Sequence, residues 1–298
     1  MSTVRAADPG GFFAYLATPF DAGGDVDLDT LARYTEQIVS AGVDGITCVA
    51  STCEGPYLTE PERRAVVETV ARACAGRVRL NVGVGAFATR QVIEHAAHAR
   101  AAGATSLMIE MQQYFPIPPA RIAEHYRRIA AAVDLPIRLY NLPVPTRVDL
   151  EPEAIRDLSD IDAIGSVKDA SGDVERLRRI RELCGGRFTR YCGLHFQLLD
   201  GMRLGAQGWE VMLHPLIAAP LVALYRELRA DPFGERGAEA FARWQPLFGF
   251  FRRHGVPQSI KAIAARTDLG LGAMRPPQAD LDEAECETVW RLACEALG

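Results

Sequence analysis

The amino-acid sequence predicts a (β/α)₈ barrel, an α/β fold of the TIM-barrel type, with a C-terminal helical extension. Short β-branched or apolar runs alternate with longer amphipathic stretches, and this alternation predicts a parallel sheet with helical crossovers. Eight such strand–helix units precede Asp231, the number that closes a barrel. After Asp231 the pattern is helical only.

The predicted strands are short and rich in apolar side chains, as expected for strands covered on both faces. They are Phe12–Ala17, Gly45–Val49, Val78–Val82, Ser106–Ile109, Ile137–Tyr140, Ala163–Val167, Phe188–Cys192 and Trp209–Leu213.

The predicted helices carry start and stop signals. Thr59 precedes Glu60-Pro61-Glu62, which places proline and acidic residues in a first turn. Glycines such as Gly103 and Gly185 follow the last helical residues. The helices are Leu28–Ala41, Glu60–Ala75, Arg90–Ala102, Ala120–Ala132, Glu151–Leu158, Val174–Cys184, Phe196–Leu204 and Pro215–Ala230.

The segment Asp231–Gly234 is a breaker, and three helices are predicted beyond it: Ala238–Arg253, Gln258–Arg266 and Asp280–Leu297. We therefore expect two parts: residues 1–230 as the barrel with the active site, and residues 231–298 as a helical extension.

Composition narrows the function classes. The 298 residues are 48% hydrophobic and 24% charged, which is typical of a globular protein, and the net charge of −5 argues against nucleic-acid binding. No apolar run reaches the roughly 18 residues of a membrane span, and Met1–Gly11 is polar. Seven scattered cysteines without a C-x-x-C pair indicate reduced thiols and a cytoplasmic location.

Lysine is almost absent. Of 33 cationic residues only Lys168 and Lys261 are lysines, so any amine nucleophile is one of these two. Lys168 ends the sixth apolar run, at the strand end where barrel active sites lie, and burial there would free its amine. The alternative is a lysine that extends from a strand end to solvent. Lys261 is interpreted as an ordinary exposed helix residue.

Other polar residues follow strands at the same end. Tyr140 ends the fifth run and is a candidate for proton transfer, or else an aromatic residue packed for stability. Ser51 and Thr52 form a turn that offers hydroxyl and backbone donors to an anion, or simple turn chemistry. Glu54 in that loop is a candidate for holding it in place.

Five motifs in order resemble the dihydrodipicolinate synthase and N-acetylneuraminate lyase superfamily. These are Thr18-Pro19-Phe20, the loop Ser51-Thr52-Cys53-Glu54-Gly55, Tyr140-Asn141-Leu142-Pro143, Val167-Lys168-Asp169-Ala170-Ser171-Gly172-Asp173 and Gly205-Ala206-Gln207-Gly208. The match spans the barrel, with a similar helical tail.

The resemblance implies class I aldolase or lyase chemistry on pyruvate or a related 2-oxo acid. By position, Lys168 would form the Schiff base, Tyr140 would transfer protons, and Ser51 and Thr52 would hold the substrate carboxylate. It implies no metal and no organic cofactor, an aldehyde or imine as second substrate, and a homo-oligomer, either a dimer or a tetramer.

Departures from the motifs argue against the lysine-pathway synthase. Cys53 replaces a loop glycine. Gln113 stands where the family's inter-subunit tyrosine is expected, with Tyr114 one position away, and both are candidates for contact with the substrate. Pro145 stands at the position of the arginine that binds the second carboxylate, and Arg147 is displaced by two.

Glu210 is the most unusual residue of the predicted strands. It follows Trp209 where a small apolar pair is usual. Two readings stay open: a carboxylate near the Schiff base that contacts substrate, or a partner of a helix arginine. His195 and His214 are candidates for the substrate rim, or surface or capping residues.

Alternative functions remain. A sugar-acid dehydratase would use the same iminium. A metal-dependent barrel lyase would use Glu110, His195, Glu210 and His214, although no H-x-H or H-x-x-x-H spacing supports it. A non-catalytic relative would bind a small acid only.

Overall fold

A computed structural model of the chain describes residues 8–298. The first seven residues of the polar N-terminal segment lie outside the described part. Within it, eight parallel strands pair in chain order and close into a barrel, which confirms the predicted fold. The strands are β1 (Gly11–Tyr15), β2 (Gly45–Cys48), β3 (Arg79–Gly83), β4 (Ser106–Glu110), β5 (Ile137–Asn141), β6 (Ile164–Asp169), β7 (Thr189–Cys192) and β8 (Gly208–Met212).

The helices alternate with the strands as predicted. They are α1 (Leu28–Ser40), α2 (Glu60–Cys74), α3 (Thr89–Ala102), α4 (Pro119–Ala132), α5 (Pro143–Thr146), α6 (Pro152–Arg156), α7 (Arg176–Cys184), α8 (Leu198–Arg203), α9 (Pro215–Ala230), α10 (Glu235–His254), α11 (Val256–Ala264) and α12 (Glu283–Leu297). In the described residues, none is both long and apolar enough to cross a bilayer.

The predicted start of α2 is confirmed in detail. Thr59 and Glu62 form a reciprocal capping box, with Pro61 in the first turn. The Thr59 backbone N–H donates to Glu62 over 2.8 Å. Because these bonds satisfy donors that a helix start leaves open, α2 begins at a defined residue.

Two compact units are distinguished by their internal contacts. Of the described residues, one contains 8–11 together with Arg79–Glu210, and so holds β3 to β7. The other contains Phe12–Val78 and Val211–Gly298. The predicted boundary at residue 230 remains a proposal.

The second unit includes β1, β2 and the last helices. In it α10, α11 and α12 contact one another. Trp244 stacks on Phe248 at 6.0 Å, and Phe248 lies 6.2 Å from Phe251. These three rings are all on α10, at spacings of four and three residues, so they form one buried aromatic face of that helix.

Candidate active site

Lys168 and Tyr140 lie side by side at the carboxyl ends of β6 and β5. They are paired in the strand register, and the Lys168 Nζ lies 4.2 Å from the centre of the Tyr140 ring. Both are buried, at 2% and 3% exposure. The two residues that the sequence analysis placed at the reaction are therefore neighbours.

The residues that follow them hold the two strand ends together. The Asn141 side chain donates to the Asp169 carboxylate over 2.9 Å and accepts from the Leu150 backbone N–H over 2.9 Å. Asp169 also accepts from Ser171. Burial raises the pKa of Asp169, which these hydrogen bonds partly offset. The motif residues next to Tyr140 and Lys168 thus fix the spacing of the pair.

Ser51 and Thr52 lie in a short 3₁₀ turn, Ser51–Cys53, directly after β2. The Ser51 Oγ is buried and has no hydrogen-bonding partner among the described residues. A buried hydroxyl normally has a partner, so the one at Ser51 is unusual; binding of a ligand there stays a prediction. Thr18 Oγ1 donates to the Cys53 carbonyl over 2.7 Å and supports the turn.

The backbone around this turn is strained. Val49 and Glu54 are non-glycine residues with φ of 49° and 62°. A Cβ at Gly55 would lie 2.1 Å from the Val49 carbonyl oxygen, so only glycine fits there. Conformations of this kind persist where the surroundings enforce them, and they are frequent at functional sites.

Lys261 corrects an expectation, because the prediction that it is exposed is wrong. It is 3% exposed, and its Nζ lies 2.8 Å from Glu54 Oε2. Burial lowers the pKa of Lys261 and raises that of Glu54, and each charge offsets the effect on the other. The signal in the sequence was the apolar helix around Lys261, since a helix apolar on most sides is normally buried.

Glu210 is fully buried on β8 and forms an ion pair with Arg138 over 2.9 Å. Asn81 donates to its Oε1 over 3.2 Å. Arg138 also pairs with Asp8 over 2.8 Å. The arginine partner is therefore on a strand and not, as one reading had it, on a helix. A contact of Glu210 with substrate stays a prediction.

Arg138 precedes Tyr140 by two residues on β5, so both side chains point to the same face of the strand. Burial would raise the pKa of Asp8, but Arg138 and the Tyr191 hydroxyl hold it below its usual value. We name Asp8, Arg138 and Glu210 the ion cluster. Sequence reasoning missed Asp8 and Arg138, although an arginine inside an apolar strand run was a signal that a carboxylate partner was needed.

The two candidate histidines, His214 and His195, have different surroundings. His214 caps α9: its Nδ1 accepts from the Leu216 N–H over 3.2 Å, which leaves Nε2 to donate to the Leu269 carbonyl over 3.3 Å. Burial lowers the pKa of His214 to about 4, so it is neutral and serves as a cap. His195 is buried after β7, edge-on to Trp209 at 6.1 Å. Its role at the substrate stays a prediction.

Gln113 and Tyr114 are neighbours in the loop after β4, but their side chains have different surroundings. Gln113 donates to the Arg147 carbonyl and accepts from the Ile117 N–H over 3.0 Å, so it joins two loops. Tyr114 is 80% exposed and lies edge-on to Phe115, itself 75% exposed. Their contact with substrate also stays a prediction.

The residues that a metal-dependent lyase would use as ligands do not form a metal-binding group in the described part of the chain. From residue 8 to residue 298, no three or more His, Cys, Asp or Glu side chains are placed to hold a metal ion. Glu210 is paired with Arg138, and His214 caps a helix. These residues therefore offer no such site in the described chain.

Known proteins resemble this chain over its length. The model of the dihydrodipicolinate synthetase family matches residues 8–296. A 4-hydroxy-tetrahydrodipicolinate synthase of Acidothermus cellulolyticus is 35% identical over 296 residues, which is 98% of this chain and 92% of that protein. An uncharacterised DapA-like lyase of Halobacterium salinarum is 32% identical over 284 residues, 94% of this chain and 90% of that protein.

Solved structures agree. The dihydrodipicolinate synthase of Agrobacterium tumefaciens has a TM-score of 0.90 and 29% identity, covering 97% of this chain and 98% of that one. The chloride-inhibited enzyme of Acinetobacter baumannii complexed with pyruvate has a TM-score of 0.91 and 25% identity, covering 97% and 99%. With a family model matched from Asp8 almost to the last residue, the chain belongs to the dihydrodipicolinate synthetase family.

Proposed function

We propose that this protein is a class I aldolase or lyase that forms a Schiff base between Lys168 and pyruvate or a related 2-oxo acid. The observation that carries the proposal is the buried pair at the strand ends, with the Lys168 Nζ 4.2 Å from the Tyr140 ring centre. An amine beside a phenol is the combination that imine formation needs: a nucleophile and a proton-transfer group.

The Lys168 amine attacks the C2 carbonyl carbon, and a proton passes to the carbonyl oxygen to give a carbinolamine. Tyr140 protonates the hydroxyl, which leaves as water, so that C2 and Nζ form an iminium. The Tyr140 phenolate then takes a proton from C3, which gives an enamine and restores the phenol. The enamine C3 attacks an aldehyde or imine carbon, whose oxygen or nitrogen takes a proton from Tyr140. Water adds to the C2 iminium, releases the product and restores the Lys168 amine, and the proton that this step frees returns to Tyr140. Cleavage is the reverse sequence.

Ser51 and Thr52 are proposed to bind the substrate carboxylate. The buried Ser51 Oγ, without a partner in the described residues, supports this role. A carboxylate oxygen would accept its hydrogen bond, and a charge-assisted bond of this type is stronger than one between neutral groups. The similar enzyme of Acinetobacter baumannii is complexed with pyruvate, which supports the substrate class.

The second substrate is proposed to differ from that of the lysine pathway. Gln113 is bonded to the Arg147 backbone, so its side chain serves to join loops. Pro145 offers no cation to a second carboxylate. The relatives carry both kinds of name, 4-hydroxy-tetrahydrodipicolinate synthase and DapA-like lyase.

We also propose a cytoplasmic homo-oligomer, a dimer or a tetramer. No disulfide joins the cysteines of the described chain, as a reducing compartment requires. The exposed rings of Tyr114 and Phe115 offer an apolar contact to a second copy. Analytical ultracentrifugation of the protein and of a Tyr114→Ser/Phe115→Ser variant measures the assembly, and a monomeric parent protein contradicts it.

Reductive trapping tests the chemistry. Pyruvate with borohydride should add one reduced adduct, and peptide mass spectrometry should place it on Lys168. Lys168→Arg keeps the charge but forms no imine, so it should not be trapped. Since the chain has only two lysines, an adduct on Lys261 would contradict the assignment. A screen of aldehydes and imines against the active protein then identifies the second substrate.

A further inference from the structure

Lys261 is buried among groups that keep its amine from reacting. Its Nζ lies 2.8 Å from Glu54 Oε2, donates to the Ala273 carbonyl over 2.8 Å, and lies 4.4 Å from the centre of the Phe20 ring. A lysine that donates hydrogen bonds to a carboxylate and a carbonyl is held as the protonated ammonium. An ammonium group has no free lone pair with which to attack a carbonyl. The second lysine of the chain therefore serves a purpose other than nucleophilic attack.

Its partner Glu54 closes the turn that carries Ser51 and Thr52. Glu54 lies directly after the turn in a left-handed conformation, with φ 62° and ψ 16°. The next residue, Gly55, packs against the Val49 carbonyl and donates its N–H to the Ala50 carbonyl over 3.2 Å. Glu54 is therefore joined on both sides to backbone that packs within the turn.

A second residue of the C-terminal segment holds the same loop. The Arg275 N–H lies 3.4 Å from Glu54 Oε1. Its guanidinium donates to the Tyr57 carbonyl over 3.0 Å and to Glu62 over 2.7 Å. The loop from the turn to the start of α2 is thus attached at several points to Lys261 and Arg275, more than 200 residues further along the chain.

We propose that Lys261 is a positioning residue that acts through Glu54 to hold the Ser51–Thr52 turn in the conformation that binds the substrate carboxylate. This inference rests on the proposed function for the identity of the ligand. The left-handed backbone at Val49 and Glu54 is unfavourable and persists only under constraint. The buried ion pair supplies that constraint, since loss of either charge leaves the other without compensation in the interior.

The experiment measures the concentration of pyruvate that gives half-maximal borohydride trapping on Lys168. Glu54→Gln and Lys261→Met should each raise it at least about tenfold, as expected for a weakened charge-assisted hydrogen bond. At saturating pyruvate the adduct should still form on Lys168. The double variant should show no larger rise than the stronger single one, because both substitutions break one interaction. Lys261→Arg, which keeps the cation, should recover part of the loss.

His254→Gln is the matched control. It removes the His254–Glu285 pair between α10 and α12, 2.9 Å apart, and should leave the half-saturating concentration unchanged. If Lys261→Met does not fold, Glu54→Gln decides, since it changes charge and not shape. A wild-type value in a folded Glu54→Gln variant, or additive effects in the double variant, would overturn the inference.

Hydrogen exchange of the protein without pyruvate separates this inference from the proposed function. Backbone amides from Thr52 to Gly55 should exchange faster in Glu54→Gln and Lys261→Met, and at the wild-type rate in His254→Gln. Unchanged exchange in the first two overturns the positioning role, even where trapping succeeds. Absence of trapping in the wild type contradicts the proposed function alone. Faster exchange in Glu54→Gln and Lys261→Met would then still show that the Glu54–Lys261 pair stabilises the turn.

Discussion

The two lysines of this chain are almost equally buried, yet their surroundings differ. Lys168 is the penultimate residue of β6 and lies beside the Tyr140 ring, where the proposed reaction would bring a substrate carbonyl. Lys261 lies in the middle of α11 and contacts the Glu54 carboxylate and a backbone carbonyl. Burial by itself therefore does not make a lysine a nucleophile; the groups around the amine and the access of a substrate decide its role.

The same contrast separates two ways of using a buried charge. In the proposed reaction Lys168 changes between amine, imine and iminium, so its surroundings must suit both charged and neutral forms. Lys261 keeps one state and fixes a loop. The ion cluster resembles Lys261 in this respect, because Arg138 holds two carboxylates in place.

Substitution of Tyr140 should have the largest effect on the reactive side of the comparison. Tyr140→Phe keeps the ring over Lys168 but removes the hydroxyl, and we expect turnover to fall by about 10²–10⁴-fold. The measurement is kcat with the acceptor found by screening, with thermal unfolding to show that the fold is retained. An unchanged kcat would move proton transfer to another group, such as Glu210 or Tyr114.

Replacing each lysine by methionine should change the free energy of unfolding by different amounts, because the two lysines have different roles. Lys261→Met should lower the free energy of unfolding by about 3–5 kcal/mol, because Glu54 is left as a buried charge. Lys168→Met loses a cation–π contact, worth about 2 kcal/mol or less. Urea denaturation measures both. Equal losses would mean that the ion pair is not the main difference between the two sites.

Gly55 tests how closely the carboxylate turn is packed. In Gly55→Ala the new Cβ would lie 2.1 Å from the Val49 carbonyl oxygen, so the backbone must shift. We expect a stability loss of about 1–3 kcal/mol, as for other overpacked sites, and weaker pyruvate trapping. Gly270→Ala is the control, since its Cβ would meet no atom within 4 Å. Equal behaviour of the two variants would show that the turn is not tightly held.

The smallest expected effect concerns how the free energy of unfolding depends on pH below about 4.5. A hydrogen bond from Arg275 lowers the pKa of Glu62 from 4.5 to about 2. This pair therefore stabilises the fold above pH 4.5, and the contribution is lost as the pH falls toward 2. Glu62→Gln should flatten stability against pH in that window, by about 1–2 kcal/mol after solvent screening. An identical slope for both proteins contradicts the pairing.

Much of the fold could be predicted because each strand and helix is encoded locally. The predicted strand Gly45–Val49 and helix Pro215–Ala230 differ from the observed bounds by at most one residue. Lys168 and Tyr140 could be predicted because barrel topology brings strand ends together. Their contact with substrate remains a prediction.

The burial of Lys261 and the partner of Glu210 could not be predicted as readily, because both depend on residues distant in sequence. Glu54 and Lys261 are 207 positions apart, as counted from their residue numbers, and nothing local connects them. Arg138 and Glu210 lie on strands separated by two others. Long-range ion pairs follow from packing, and local periodicity does not report them.

The burial of both lysines also governs how the protein meets reactive carbonyl compounds. Aldehydes and 2-oxo acids condense with any accessible primary amine, and the described surface presents no ε-amino group to them. Its cationic side chains are guanidinium groups, which form no simple imine. In a solution of such compounds, condensation with side-chain amines is therefore confined to a lysine that a carbonyl compound can reach inside the fold.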